Sequence, residues 1–246
     1  MSGDRITGED LELFERSIAH ATASTSGAAL DAELDALGWA DALALDPQAA
    51  IDTLFTLQGA NNSTSGALDR VLINALFGPE DGEVGHAIVL PRLGNGAPPA
   101  VLLGEQLRVD GLATAALAES DSVVIVAVVD SHDEVEDGEI VAVTVESAQL
   151  AATPVKGMDP TVGLSRVQGD LVLPAGSVIA PVPWETALAR GRLALSHELV
   201  GASRTMLELA RTHALERIQF GVSISSFQAV RHRLAEALVA VEAAAA

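Results

Sequence analysis

The sequence predicts an α+β protein with three segments: an N-terminal helical domain over 1–84, a central antiparallel β barrel or sandwich over 85–182, and a C-terminal helical bundle over 183–246 that is expected to be incomplete in this chain. Three observations predict it. The first segment has apolar positions at helical spacing between start and stop signals. The second consists of short β-branched runs separated by Gly, Pro and acidic turns. In the third the helical period returns and holds for about thirty residues.

The elements follow in order. Thr7 with Asp10 offers a cap for a helix from about Glu9 to Ala21, and a second helix is expected to end at Leu37 before Gly38. Asp46-Pro47 is a capping carboxylate followed by proline in the first turn, so a helix is expected to run from there to Gln58 and stop at Gly59. A fourth helix carries Leu68, Leu72, Ala75 and Leu76, and stops at Gly78-Pro79. Strands are expected at Ala87–Leu90, Val101–Leu103, Leu107–Val109, Val123–Val129, Ile140–Val145 and Leu171–Leu173, with Asp130–Glu139 as a solvated hairpin loop. Helices do not alternate with these strands, which disfavours a parallel doubly wound sheet. Leu195, Leu199, Ala202, Met206 and Leu209 then form a heptad-like seam on a helix from about Glu185 to Leu215, roughly 45 Å long at about 1.5 Å per residue. Phe227, Val230, Leu234, Leu238 and Val241 mark a second stripe, expected to be buried.

Composition excludes several functions. Acidic residues outnumber basic ones 34 to 14, for a net charge of −20, and such a polyanion repels phosphate backbones and anionic bilayers. Neither nucleic acid nor membrane is expected as a partner. Half of the basic residues, however, lie between Arg190 and Arg233, where they can serve a local anion site. The absence of Cys excludes disulfides, thiolate metal sites and a Cys nucleophile. No signal peptide or membrane-spanning run is evident, so a cytoplasmic location is expected. Aromatics are only 3% of the chain, and Trp39 and Trp184 read as packing residues.

The informative stretch lies between the last two helices, where Arg217-Ile-Gln-Phe-Gly221 is followed by Phe227-Gln228. Arg offers a permanently charged planar fork for phosphate oxygens. Phe gives a flat face for an aromatic ring, and Gln an amide for an adenine edge or ribose hydroxyl. Gly221 permits a tight reversal, across which Arg217 and Gln228, eleven positions apart, can converge. On composition alone, the simpler reading is a helix–helix connection whose corner is filled by Phe220 and Phe227.

The combined pattern of Arg217, Gln219-Phe220-Gly221, Ile224, Phe227-Gln228, His232 and Leu234-Ala235 resembles the acyl-CoA dehydrogenase family. The resemblance covers residues 191–236 well, the β segment loosely and the first eighty residues weakly. It implies FAD as cofactor, with Arg217, Phe220 and Gln228 touching the FAD of a neighbouring subunit. It also implies an acyl-CoA thioester substrate, oxidised between Cα and Cβ by a carboxylate base and the flavin, and a homo- or hetero-oligomeric assembly with a homologous subunit, a tetramer. Three departures accompany it. Near Leu107–Leu117, where the family lines the flavin ring, Asp110-Gly111 is retained without the Lys and aromatic. The chain ends in Glu242-Ala-Ala-Ala-Ala246, short of the family's later flavin-binding element and of the base found there in many members. Few aromatics remain to stack on a flavin. These gaps resemble one subunit of a heteromeric bacterial acyl-CoA dehydrogenase, whose homologous partner holds the base and most of the flavin site. By analogy the acyl group is sterol-derived or fatty. The catalytic base is not identified, and the alternative is a non-catalytic assembly subunit.

Other constellations carry less. The six His residues show no ligand spacing, so no metal is expected. Glu185, Glu198 and Glu208 lie on the long helix as candidate bases but read first as solvated charges. Gly94-Asn-Gly96 ends in Pro98-Pro99 and reads as a turn rather than a dinucleotide loop.

Overall fold

The structure is a computed structural model. It describes residues 8–78, 87–130, 138–157, 162–174, 177 and 179–245. Two compact units form, one of Met1–Ser63 with Leu193–Ala246 and the other of Thr64–Arg192.

The first unit is helical. It contains α1 (Glu9–Ser24), α2 (Ala28–Ala36), α3 (Trp39–Leu45) and α4 (Pro47–Asn61), together with most of α7 (Trp184–Glu216) and all of α8 (Gln228–Ala245). Thr7 lies outside the described residues, and Gly8 occupies the N-cap of α1 without a side-chain bond. Gly38 ends α2 in the left-handed region, at φ 71°. The sequence reading missed α3, which begins at Trp39. That indole is fully buried, with its Nε1–H donating to the Ala50 carbonyl (3.2 Å), so it packs as expected. Asp46 caps α4 by accepting from the Ala49 amide (3.1 Å), ahead of Pro47.

Gly59 does not stop α4. The helix continues to Asn61, because Gly59 is where α7 crosses. A Cβ on Gly59 would lie 1.9 Å from the Glu198 carbonyl oxygen, and one on Gly201 would lie 2.0 Å from the Thr56 carbonyl oxygen. Reciprocal glycines therefore let the two backbones touch. Thr205 Oγ1 donates to the Ala60 carbonyl (3.1 Å) and His197 Nδ1 stands 3.0 Å from Asp52 Oδ1, which fixes the crossing on either side.

The second unit holds an eight-stranded sheet. Its strands are β1 (Ala87–Ile88), β2 (Ala100–Leu103), β3 (Gln106–Ala113), β4 (Ser122–Val129), β5 (Ile140–Glu146), β6 (Ala151–Pro154), β7 (Ser165–Val172) and β8 (Ile179–Pro181). The order is β6-β7-β3-β2-β4-β5-β8, with β1 also against β4. The sheet is mostly antiparallel, as expected, but β2 and β1 each run parallel to β4. The reason is connectivity: β2 turns directly into β3 through Gly104, and the chain then passes α6 (Ala116–Glu119) to lay β4 on the other side of β2. β4 and β5 pair antiparallel from Val128↔Ile140 onward; most of the expected acidic loop between them, residues 131–137, lies outside the described residues. Short β6 and β8 escaped the sequence reading because neither has a β-branched run.

β4 explains the continuous apolar Val123–Val129. Val123, Ile125 and Ala127 face one buried cluster with Leu107, Val109 and Val143. Val124 and Val126 face another, built with Leu72 and Leu76 of α5 (Ala67–Phe77), Trp184 and Ala187. A strand buried on both faces has no polar side to alternate with. Trp184 is also buried, its Nε1–H donating to the Gly96 carbonyl (3.0 Å).

The α4–α7 crossing yields a direct prediction. Gly59→Ala is expected to cost at least about 2 kcal/mol in denaturant unfolding, because backbone rather than a flexible side chain must move. Gly157→Ala, whose Cβ would enter open space, is expected to be neutral within about 0.5 kcal/mol. Equal midpoints for the two variants would contradict the crossing.

Candidate functional site

The corner is built on the end of α7. The Arg217 amide still donates to the His213 carbonyl (2.9 Å), and the chain then leaves the helix into a miniature hairpin of β9 (Ile218–Gln219) and β10 (Val222–Ser223). Its two loop residues, Phe220 and Gly221, have φ of 52° and 81°. Two consecutive positive φ values define the primed turn that suits the twist of a two-residue hairpin. Gly221 adopts this freely. Phe220 does so against its own preference, since an aromatic residue in the left-handed region carries local strain. The Ser223 hydroxyl donates to the Ala214 carbonyl (2.9 Å), tying the hairpin to the helix. A 3-10 turn over Ile224–Ser226 then leads into α8.

Three backbone hydrogen bonds run from Arg217 into α8. Ile224 N–H donates to the Arg217 carbonyl (2.9 Å), Phe227 N–H to the Ile224 carbonyl (3.1 Å) and Arg231 N–H to the Phe227 carbonyl (3.2 Å). Arg217 and the head of α8, where Gln228 is the first residue, are thus held in one compact corner. The rings of Phe220 and Phe227 meet edge to face, with centroids 6.3 Å apart and planes at 81°.

All three predicted site residues face solvent. Phe220 is 93% exposed, so it does not fill the corner, and the reading as a plain packed connection fails for it. Phe227, 38% exposed, fills part of it. Arg217 and Gln228 are exposed, and neither side chain has a hydrogen-bond or ion-pair partner among the described residues. The hydroxyl of Ser223 and the amide of Ile224 are the supports that sequence reasoning left out; a Ser two residues after a Phe-Gly reversal was the available signal.

Apolar positions of α7 stay exposed: Leu199, Met206 and Leu209 of the expected seam are 69%, 61% and 65% exposed. On α8 no residue is fully buried, and Val230, Leu234 and Val241 of the expected stripe are half-buried, so the described residues cover it only in part. α7 and α8 touch instead through a bidentate surface pair, Arg204 with Glu242 (3.2 and 3.1 Å).

The other candidates resolve individually. Asp110 accepts from Arg92 (3.2 Å) and from Arg166 (3.2 and 3.3 Å), while a Cβ on Gly111 would lie 2.5 Å from the Leu90 carbonyl oxygen. Both residues of the retained Asp-Gly pair therefore have structural work in the sheet. Glu208 pairs with Arg211 (2.8 Å) and Glu185 is exposed. Glu198 is half-buried, and desolvation raises its carboxyl above the ordinary 4.5. Among the described residues no three metal-ligating side chains lie together, and no helix is long and apolar enough to cross a membrane.

The turn thus holds a cation, an aromatic ring and an amide together at an exposed helical corner. Comparison with known proteins gives the family. The family model for the acyl-CoA dehydrogenase C-terminal domain matches residues 184–246. Acyl-CoA dehydrogenase IpdE2 of Mycobacterium tuberculosis is 34% identical over 196 residues, which cover 74% of this chain and 60% of that protein. Among solved structures, a variant of the Tcur3481–Tcur3483 steroid ACAD superposes with a TM-score of 0.65 at 19% identity, over 96% of this chain and 74% of that one. The ChsE4–ChsE5 complex from Mycobacterium tuberculosis gives 0.62 at 18% identity, over 95% and 65%. The chain belongs to the acyl-CoA dehydrogenase family. It spans about 60% of the length of the IpdE2 protein it matches.

Two predictions come from the corner and its supporting helix. Phe220→Asn, which suits the left-handed turn position, is expected to raise the stability of the chain alone by about 0.5–1 kcal/mol in denaturant unfolding; a loss of similar size would mean that Phe220 is there for packing. For Glu198 the folded pKa lies above the unfolded one, so its contribution to stability is full below pH 4.5 and is lost as pH rises through the folded value. The melting-temperature difference between Glu198→Gln and the parent is therefore expected to shift in the variant's favour between pH 4.5 and 8, and a constant difference would contradict it.

Proposed function

We propose that this chain is a subunit of an FAD-dependent acyl-CoA dehydrogenase acting on a CoA thioester, and that it completes an FAD site across a subunit boundary with Arg217, Phe220 and Gln228. FAD is the cofactor of the family to which the chain belongs. The observation that carries the reading is that the one strained aromatic of the corner, an unpaired Arg and an unpaired Gln are held together by backbone bonds yet left in solvent. A fold gains nothing by keeping an exposed Phe at positive φ, whereas a partner surface with a nucleotide does.

Each residue has a role that its chemistry supplies. Arg217 would pair with diphosphate oxygens through its planar fork, and Gln228 would hydrogen-bond the adenosine portion. Phe220 would present a flat face that closes the site against water. Bound flavin supplies the acceptor for the hydride leaving the acyl β carbon.

The partner is proposed to be a homologous subunit in a heteromeric assembly, a tetramer by family resemblance. The exposed Leu199, Met206 and Leu209 of α7 and Leu238 and Val239 of α8 support a partner, and the heteromeric names of the two structural neighbours support its kind. The acyl group is proposed to be sterol-derived, following the steroid ACAD, with a fatty acyl group as the variant. In the second reading, the chain is a non-catalytic assembly subunit; it is favoured by Glu208 being paired with Arg211 and Glu185 facing solvent.

Purification of the chain with its partner subunit tests both. A yellow complex bleached by acyl-CoA is expected, and a colourless complex supports the assembly reading. Within a yellow complex, Arg217→Ala is expected to weaken FAD by about 2 kcal/mol, measured by reconstitution of the apoprotein. Unchanged FAD retention would remove Arg217 from the site.

A further inference from the structure

The arginines around the corner divide into two kinds. Arg204 pairs with Glu242, Arg211 with Glu208 and Arg233 with Glu236, each within 3.2 Å. Arg217 and Arg231 have no such pair among the described residues, although the chain carries 34 acidic side chains against 14 basic ones. Around this corner Arg217 and Arg231 stand apart from their paired neighbours, and both flank the same turn. Glu216, next to Arg217, and Glu236, nearest to Arg231 in sequence, leave them free; Glu236 is taken by Arg233.

Placement adds a second observation. The three-bond backbone relay that leaves Arg217 ends on the Arg231 amide, so the two arginines stand at the two ends of one rigid connection. Arg231 lies three residues after Gln228 on α8, and residues at that spacing share a helix face. Arg231 is thereby on the side of α8 from which Gln228 would read a ligand, while Arg233 is displaced around the helix and neutralised.

We infer that Arg231 is a fourth ligand-binding residue of the corner, and that Arg217 and Arg231 together clamp the diphosphate of an adenosine-diphosphate-bearing ligand. The inference rests on the proposed FAD-contact reading and deepens it. A diphosphate carries two charges, and a chain of net charge −20 repels it at every approach except where local cations are free. One cation offsets half of that charge; two offset it all. FAD and CoA share this moiety, so the chemistry alone admits either.

The test uses the assembled complex, stripped of flavin and reconstituted. FAD affinity is measured for the parent, Arg217→Ala, Arg231→Ala and, as the control with an occupied guanidinium, Arg233→Ala; the KM for acyl-CoA is measured in parallel. Arg231→Ala is expected to weaken FAD about ten-fold or more with Arg233→Ala unchanged. A ten-fold rise in acyl-CoA KM with unchanged FAD affinity assigns the clamp to CoA instead. Arg231→Ala matching Arg233→Ala in both measurements, while Arg217→Ala still weakens FAD, overturns the inference and leaves the proposed function standing. No effect from both variants, Arg217→Ala and Arg231→Ala alike, overturns both. Retained complex mass and melting temperature in each variant show that the loss is one of binding rather than folding.

Discussion

The reversal at Phe220-Gly221 is the constraint on which the rest of the corner depends. Two consecutive residues at positive φ turn the chain within two positions, so that β10 lies on β9 and the 3-10 turn returns to the Arg217 carbonyl. A looser connection would leave Arg217 and Gln228 on separate helices with no fixed relation. Most sequences would fill such a turn with Asn-Gly or Gly-Gly. Phe at the first position is a costly choice for a hairpin, and with the ring 93% exposed its edge contact with Phe227 offsets little of that cost.

Much of the fold was legible because strong local signals agreed with the packing. Asp46-Pro47 started a helix for the reason expected, and Val123–Val129 read as a strand from its β-branched run alone. Failures came where a residue's role was set by a distant neighbour. Gly59 looked like a helix stop because nothing local reveals that Glu198 will cross it; its real role is close approach. α3 was missed because seven residues with a Trp at the start show too little period. β6 and β8 are short strands at the two ends of the sheet path, held by pairing rather than by propensity.

The corner was legible in the opposite sense. Its residues were singled out by a resemblance that their chemistry suits, and their exposure could not have been read from sequence. The seam on α7 and the stripe on α8 have the period of a buried interface, yet the described residues leave Leu199, Met206 and Leu209 exposed and only half-bury Val230, Leu234 and Val241. Periodicity reports that a face is apolar; it does not say which molecule will lie on it.

Under the proposed reading, these two uncovered features are one physical system. In water, the attraction between a guanidinium and a phosphate at about 4 Å is near 1 kcal/mol, and it grows several-fold as the surrounding dielectric falls. A partner that covers Leu199, Met206, Leu209 and Phe220 removes that water, and in doing so strengthens whatever Arg217 holds. The ligand in turn neutralises a cation that would otherwise be desolvated by the partner at considerable cost. Partner binding and cofactor binding therefore favour one another, and an exposed cation on an apolar face, poor design for a lone chain, becomes a condition for assembling the site only when both components are present.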